Sequence, residues 1–324
     1  MDGFDRLPDS LILLIFNSVS DVKTLIRCRS VSKRFYSLVP ETESLLLRVD
    51  RVISPESDTE SLLFSFLKSL LKSIQDLFKS DHKPTATLTL THNSPAQILS
   101  QFHRIRDLQI QLPAGDLKLD KGVVIKWRAE FGNTLKSCVI LGFRTAARDS
   151  EDGNADVDFD FAGGLKARVV WTISALIAAS ARHYLLKEVV KEHEEMERLE
   201  LKDKETEGIV VMDKEGLREC RMEKAASDRE WEASRTVVPS ARMRMRHEPR
   251  VQLNDGSRVE GATLVVVWPC VGKEVGGVQS GEAWAADVED AKLATGAFGG
   301  EGVYEELAAL LVKSKAYLLE MNSF

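Results

Sequence analysis

The chain has 324 residues, 44% of them hydrophobic and 29% charged, with 20 glycines and 9 prolines. That suits roughly two globular domains, or one large domain with a small module, and excludes collagen-like, low-complexity and unfolded classes. A formal charge of −6 argues against a chain-wide basic footprint for nucleic acid or anionic lipid.

Cys28, Cys138, Cys220 and Cys270 lie far apart with no C-x-x-C, so neither a metal site nor a disulfide framework is expected, and a reducing compartment, nucleus or cytoplasm, is. The start MDGFDRLPD is acidic with no apolar core behind a basic head, so no secretory leader is expected. The most apolar run, residues 169–181, falls short of the ~20 residues that cross a bilayer, so no membrane partner is expected either.

The first fifty residues predict three short helices. The first opens at Leu7-Pro8-Asp9, where proline's fixed φ suits a first turn, and repeats Leu11, Leu14, Ile15 and Val19 at helical spacing. Ile12, Leu13 and Phe16 make it apolar on nearly every side, so it needs a partner on more than one side. Asp21 offers an N-cap to a second helix carrying Val22, Leu25, Ile26 and Cys28. Ser30 offers one to a third, with Val31, Phe35 and Leu38, which Pro40 ends.

The string DRLPDSLILLIFNSVSDVKTLIRCRSVSKRFYSLV resembles the F-box. The resemblance implies that residues 1–50 dock on a Skp-type adaptor, and through it on cullin and RING subunits of a ubiquitin ligase. The positions carried over are Leu7, Pro8, Leu11, Ile15, Leu25, Cys28, Val31 and Phe35. Phe35 stands where many F-boxes have Trp, which keeps an aromatic anchor. Leu and Phe side chains of this kind are the usual energetic anchors of a protein interface.

Residues 51–84 read as a polar linker followed by an amphipathic helix (Leu63, Phe66, Leu67, Leu70, Ile74, Phe78) that packs on the protein rather than on a membrane. From residue 85 to 324 an α/β domain is expected. A degenerate leucine-rich-repeat-like pattern recurs at Ile105-x-x-Leu108-x-Ile110, Leu135-x-x-Cys138-x-Ile140, Met196-x-x-Leu199-x-Leu201 and Leu217-x-x-Cys220-x-Met222, with a weaker match at Thr85-x-x-Leu88-x-Leu90. The asparagine such repeats carry after the strand is missing, so stacked repeats and an ordinary α/β domain both stay open. The overall class is α+β, three amino-terminal helices followed by helix–strand units.

Further along, residues 149–160 form an acidic loop that lacks the ligand spacing of a calcium site. Residues 171–196 predict the longest helix, apolar first and charged later. Asn254-Asp255-Gly256 between β-prone runs marks a hairpin. Arg242, Arg244 and Arg246 alternate on one strand face, either a seat for an acidic partner or phosphate or simply the exposed face of a half-buried strand. Residues 272–302 read as a loose glycine-rich loop without a phosphate-binding motif, and 304–319 as a last helix.

The strings KWRAEFGNTLKSCVILG, LKARVVWTISALIAASARHYLL, GATLVVV and LEMNSF resemble a group of plant F-box proteins called auxin up-regulated. His247 departs from that pattern, where an aromatic is expected. The resemblance implies a non-catalytic substrate receptor of a Skp-cullin-F-box ligase in the auxin response, binding a protein substrate and no cofactor. Such a receptor raises the effective concentration of target lysines near an activated ubiquitin. The alternative is an adaptor-bound regulator that does not degrade its partner. An enzyme finds less support: His193-Glu194-Glu195-Met196-Glu197 lacks the second histidine of a zinc helix, no G-x-S-x-G elbow occurs, and the remaining histidines form no motif.

Overall fold

A computed structural model describes residues 3–49, 98–113, 117, 122–145, 164–222, 235–270 and 280–324. The expected helix at 63–78, the repeat at 85–90 and the acidic loop at 149–160 lie outside the described residues. In chain order the elements are α1 (Asp9–Val19), α2 (Val22–Arg29), α3 (Lys33–Leu38), β1 (Ser44–Arg48), β2 (Asp107–Leu112), β3 (Val123–Phe131), β4 (Leu135–Thr145), α4 (Leu165–Glu192), β5 (Arg198–Asp203), β6 (Gly208–Met212), α5 (Lys214–Met222), β7 (Ala241–Gln252), β8 (Arg258–Pro269), α6 (Ser280–Phe298), α7 (Val303–Leu311) and β9 (Ala316–Met321). The class is α+β, as expected.

The chain divides into two compact units, one of Met1–Asp116, Arg182–Glu205 and Val211–Ser234, the other of Leu117–Ala181, Thr206–Val210 and Arg235–Phe324. This differs from a division at residues 50 and 85. The amino-terminal helices share a unit with three strands, because main-chain bonds join them: Leu46 N–H donates to Ser20 O (2.9 Å), and both Arg106 and Asp107 N–H donate to Glu43 O (2.8 and 3.0 Å).

In the first unit β1, β2 and β5 are parallel and in register, with rows Leu45–Leu108–Leu199 and Leu47–Ile110–Leu201. All six side chains are buried. The repeats starting at Ile105 and Met196 are therefore stacked strands, and Thr42-x-x-Leu45-x-Leu47 is a third copy hidden at the end of the F-box-like string. The matches starting at Leu135 and Leu217 are not: Leu135–Ile140 lies in an antiparallel strand and Leu217 and Cys220 lie on α5. An apolar pair three apart suits one helix face as well as a strand that turns inward, so the pattern alone does not separate them. Arg182 and Asp203 form an ion pair at 2.9 Å, both essentially closed to solvent.

In the second unit β3, β4, β8, β7 and β9 form an antiparallel run. One face, with Val139, Leu141, Leu264 and Val266, packs on Ala294 and Phe298 of α6 and Leu307 and Leu311 of α7. On the other face Trp171 of α4 lies so near Gly142 that a Cβ there would meet its ring at 3.1 Å. α4 has the length and apolarity to cross a membrane, which the shorter run 169–181 lacks. Yet 61% of its most apolar window is buried inside the protein, as in a core helix.

Several expectations are corrected here. The glycine-rich stretch holds α6, whose alanines favour helix. Gly299, whose N–H donates to Thr295 O at 2.7 Å, and Gly300 at φ +79° close the helix rather than loosen it. The last predicted helix stops at Leu311, and residues 316–321 pair with β7 as β9. The Arg face closes progressively along the strand, from exposed Arg242 to half-buried Arg244 and buried Arg246, and all three guanidinium groups have acidic partners. Arg246, closed to solvent, binds Asp290 and Asp287 at 2.5 Å each, Arg244 reaches Asp290 at 3.3 Å and stacks 4.5 Å over Trp268, and Arg242 meets Glu320 at 3.1 Å. Burial pushes the Asp290 carboxyl up, against the pull of Arg246 and Arg244. The hairpin at Asn254–Gly256 is present, with Gly256 at φ +83°.

Candidate functional site

The amino-terminal helices are set by a few local bonds. Pro8 stands at the N-cap of α1, and its carbonyl accepts from Leu11 and Ile12 N–H (3.1 and 3.3 Å). Arg34 of α3 closes the same end: its guanidinium donates to Asp9 Oδ1 (2.8 Å), Phe4 O (3.0 Å) and Leu7 O (2.5 Å). Beneath it the Phe35 ring meets Phe4 and Phe16 edge-on, with centroids 5.5 and 5.2 Å apart, an arrangement aromatic quadrupoles favour.

Asp21 caps α2 as expected, accepting from Thr24 N–H at 3.0 Å and Thr24 Oγ1 at 2.6 Å. Burial raises its pKa, but the two Thr24 bonds and the charges of Arg48 and Lys23 outweigh that and hold the carboxyl below its usual value. The cap of α3 is Ser32, which accepts from Phe35 N–H at 3.1 Å, and not Ser30, which ends α2. The two serines are equivalent in sequence. Only Ser32 takes the extended backbone an N-cap needs. Asn17 Oδ1 accepts from Glu43 and Ser44 N–H (2.8 and 3.2 Å), tying the end of α1 to β1.

The eight sequence-derived positions fall into two sets. Pro8, Leu11, Ile15 and Val31 are exposed, Leu7 and Cys28 are half-buried, and Leu25 and Phe35 are buried. At 100° per residue Pro8, Leu11 and Ile15 share one stripe of α1, next to the stripe of Ile12 and Phe16 that faces inward. Leu25 and Phe35 do not reach this surface. They are the packing on which it rests, since a fifty-residue segment needs its largest apolar groups for its own core. Leu14 and Tyr36, 61% and 60% exposed, and Phe4 and Val19 are further exposed apolar side chains of the same segment. The all-round apolar pattern of α1 carried the signal for Leu14 and Val19; nothing in the sequence sets Tyr36 apart.

Elsewhere the described residues hold no cluster of three metal-ligating groups. His193, in the rejected zinc fragment, has a buried Nε2 without a partner, and burial lowers its pKa. Cys138 is fully enclosed, and burial pushes its thiol up beyond any reactive range. In the second unit a hollow of about 1100 Å³ opens at the β7–β8 hairpin between Phe143, Arg250, Arg258, Glu301 and Tyr304.

Comparison with known proteins agrees with the local geometry. The F-box-like family model matches residues 4–51. The chain is 50% identical to F-box protein AUF2 and 48% identical to F-box protein AUF1 of Arabidopsis thaliana, covering all of this chain and all of each relative. No solved structure matches. With end-to-end identity at this level, and a matched amino-terminal segment that is the helical trio just described, the chain belongs to the F-box protein family.

Proposed function

We propose that the chain is the substrate-recognition subunit of a Skp-cullin-F-box ubiquitin ligase, with α1 docked on a Skp-type adaptor and target proteins held for ubiquitination and proteasomal degradation. F-box proteins in general are non-catalytic adaptor subunits and substrate receptors. The observation that carries the reading is an outward stripe of Pro8, Leu11 and Ile15, with Leu14 beside it, on a helix whose inward side is already packed. Apolar surface left out on a rigid scaffold is what a hydrophobic interface core needs.

The test is binding of the purified chain to a Skp-type adaptor, comparing wild type with Leu11→Asp/Ile15→Asp. Saturable binding that the variant loses while keeping its melting temperature supports the reading. No binding by folded wild-type protein overturns it. Turnover of a bound partner that needs both adaptor and proteasome separates a receptor from a regulator that merely occupies the adaptor.

For the target, the hollow at the β7–β8 hairpin is the concavity we assign, large enough for a peptide side-chain cluster. A nuclear or cytoplasmic site of action and a part in the auxin response belong to the same proposal, the latter resting on the resemblance to the auxin up-regulated group.

A further inference from the structure

β9 ends the antiparallel run, and β7 is its one strand neighbour among the described residues. Its sequence, AYLLEM, is apolar at five of six positions, yet none of the six residues is buried. Tyr317 and Leu318 are 55% and 53% exposed, and as successive strand residues they stand on opposite faces of the sheet. The strand is held by its ladder to β7 and by the Glu320–Arg242 pair, and residues 316–321 make no further hydrogen bond or ion pair among the described residues. The outer row of main-chain N–H and C=O groups is therefore open, which is the arrangement that accepts another strand.

Proteins usually guard such an edge with a proline, a lysine, a bulge or an unpaired charge. β9 has neither proline nor lysine, and its register with β7 is unbroken. Its one charge, Glu320, is already turned to Arg242 at 3.1 Å.

The strand's own sequence says what fits this edge. Two copies related by a two-fold axis across the edge pair antiparallel, and opposed residues share a face, so the register must centre on a residue. Centred on Leu318, it sets Leu318 against its copy, Tyr317 against Leu319 and Ala316 against Glu320. The two most exposed apolar residues of the strand then meet apolar partners, and no like charges are opposed. Centred on Leu319 the pairing would set Leu318 against Glu320, and centred on Tyr317 it would set Leu319 against Lys315.

We propose that β9 pairs antiparallel with β9 of a second copy of this chain, in the register centred on Leu318, so that the two antiparallel runs join into one sheet. The inference uses neither α1 nor the hollow at the hairpin and is independent of the receptor reading.

The experiment follows the full chain by sedimentation velocity over a concentration series. A ribbon of two short strands is smaller than a standard interface, so the expected Kd is on the order of 10 μM, with the dimer growing as the protein is concentrated. Leu318→Glu, which faces Arg244 within its own chain, should keep the melting temperature and weaken association by about tenfold or more, because two carboxylates then oppose each other. Leu318→Lys should weaken it likewise, and an equimolar mixture of the two variants should dimerise again, a rescue that follows from the self-opposed position. Tyr317→Glu, on the other face, should also weaken it, and serves if a lysine beside Arg244 disturbs the strand. A wild-type chain that stays monomeric up to about 100 μM overturns the proposal. So does association that folded Leu318→Glu and Tyr317→Glu proteins leave unchanged, or a mixture of folded variants that fails to rescue. Association that Leu11→Asp/Ile15→Asp abolishes and Leu318→Glu does not overturns it too, by placing the contact on α1.

Discussion

α1 and α7 are both short apolar helices, and they dispose of their apolar residues in opposite ways. α7 turns Leu307, Ala308 and Leu311 into the sheet core and carries Glu305 and Glu306 in its first turn. α1 buries Ile12 and Phe16 and leaves Leu11, Leu14, Ile15 and Val19 in solvent at 39–61% exposure. Per residue the two are similarly greasy. What separates them is where the matching surface lies: for α7 it is in the described part of the same chain, and for α1 it is the adaptor surface proposed above.

The largest effect should come from the packing beneath α1. Phe35→Ala removes the ring shared by Phe4 and Phe16, and the loss should be about 3–5 kcal/mol in denaturant unfolding. Adaptor binding should fall with it, because the surface loses its support. Next comes the direct contrast. Leu307→Ala should cost about 2–5 kcal/mol of stability, while Leu11→Ala should cost less than about 0.5 kcal/mol and instead weaken adaptor binding by about 2 kcal/mol, the size of an interface hot spot. Matching stability losses in both variants would erase the distinction between the helices.

The same contrast governs what could be read before the structure. The F-box-like segment was legible because its periodicity, caps and proline are local, and Asp21 and Pro8 act within four residues of themselves. The split between Leu11 and Phe35 was not, since both are apolar at helical spacing and only the three-helix packing decides which one points out. β1, β2 and β5 were partly legible, in that their x-x-L-x-L pattern encodes a buried parallel row. The same pattern failed at Leu217, where helical spacing accommodates it equally well. β9 was missed because Tyr317–Glu320 has no strand signature of its own, and its conformation comes from pairing with β7. The Arg242–Arg246 residues do share one face, open at Arg242 and closed at Arg246; the closure is not legible locally, since the partners Asp287, Asp290 and Glu320 lie 41–78 residues further on.

A smaller effect tests how the α1–α2 corner is held. Asp21→Ala removes the cap and the link to Arg48 at 2.9 Å and should cost about 0.5–2 kcal/mol. Asp21→Asn keeps the cap geometry and should recover most of it. Because the folded carboxyl titrates below its usual value, the wild type's advantage over Asp21→Asn should be present above about pH 4 and fade as the pH falls through the folded value.

The smallest effect distinguishes the two units by pH. His193 belongs to the first unit and His247 to the second, and burial lowers both pKa values, with Arg168 adding to the effect at His247. A depressed histidine stays neutral in the folded protein while the unfolded chain takes up protons. Its contribution is therefore complete above about pH 6.5 and is lost as the pH falls through the folded value. Asp290 runs the other way, since burial raises it, but its own window starts near the carboxylate range. Unfolding followed between pH 7 and 5.5 should show stability falling with acid. His193→Gln should flatten the part of the slope that reports the parallel-strand unit, and His247→Gln the part that reports the antiparallel one. If either variant leaves its slope unchanged, that histidine is solvated in solution, and the packing around it is looser than the Thr263 contact at 2.9 Å implies for His247 or the enclosed Nε2 implies for His193.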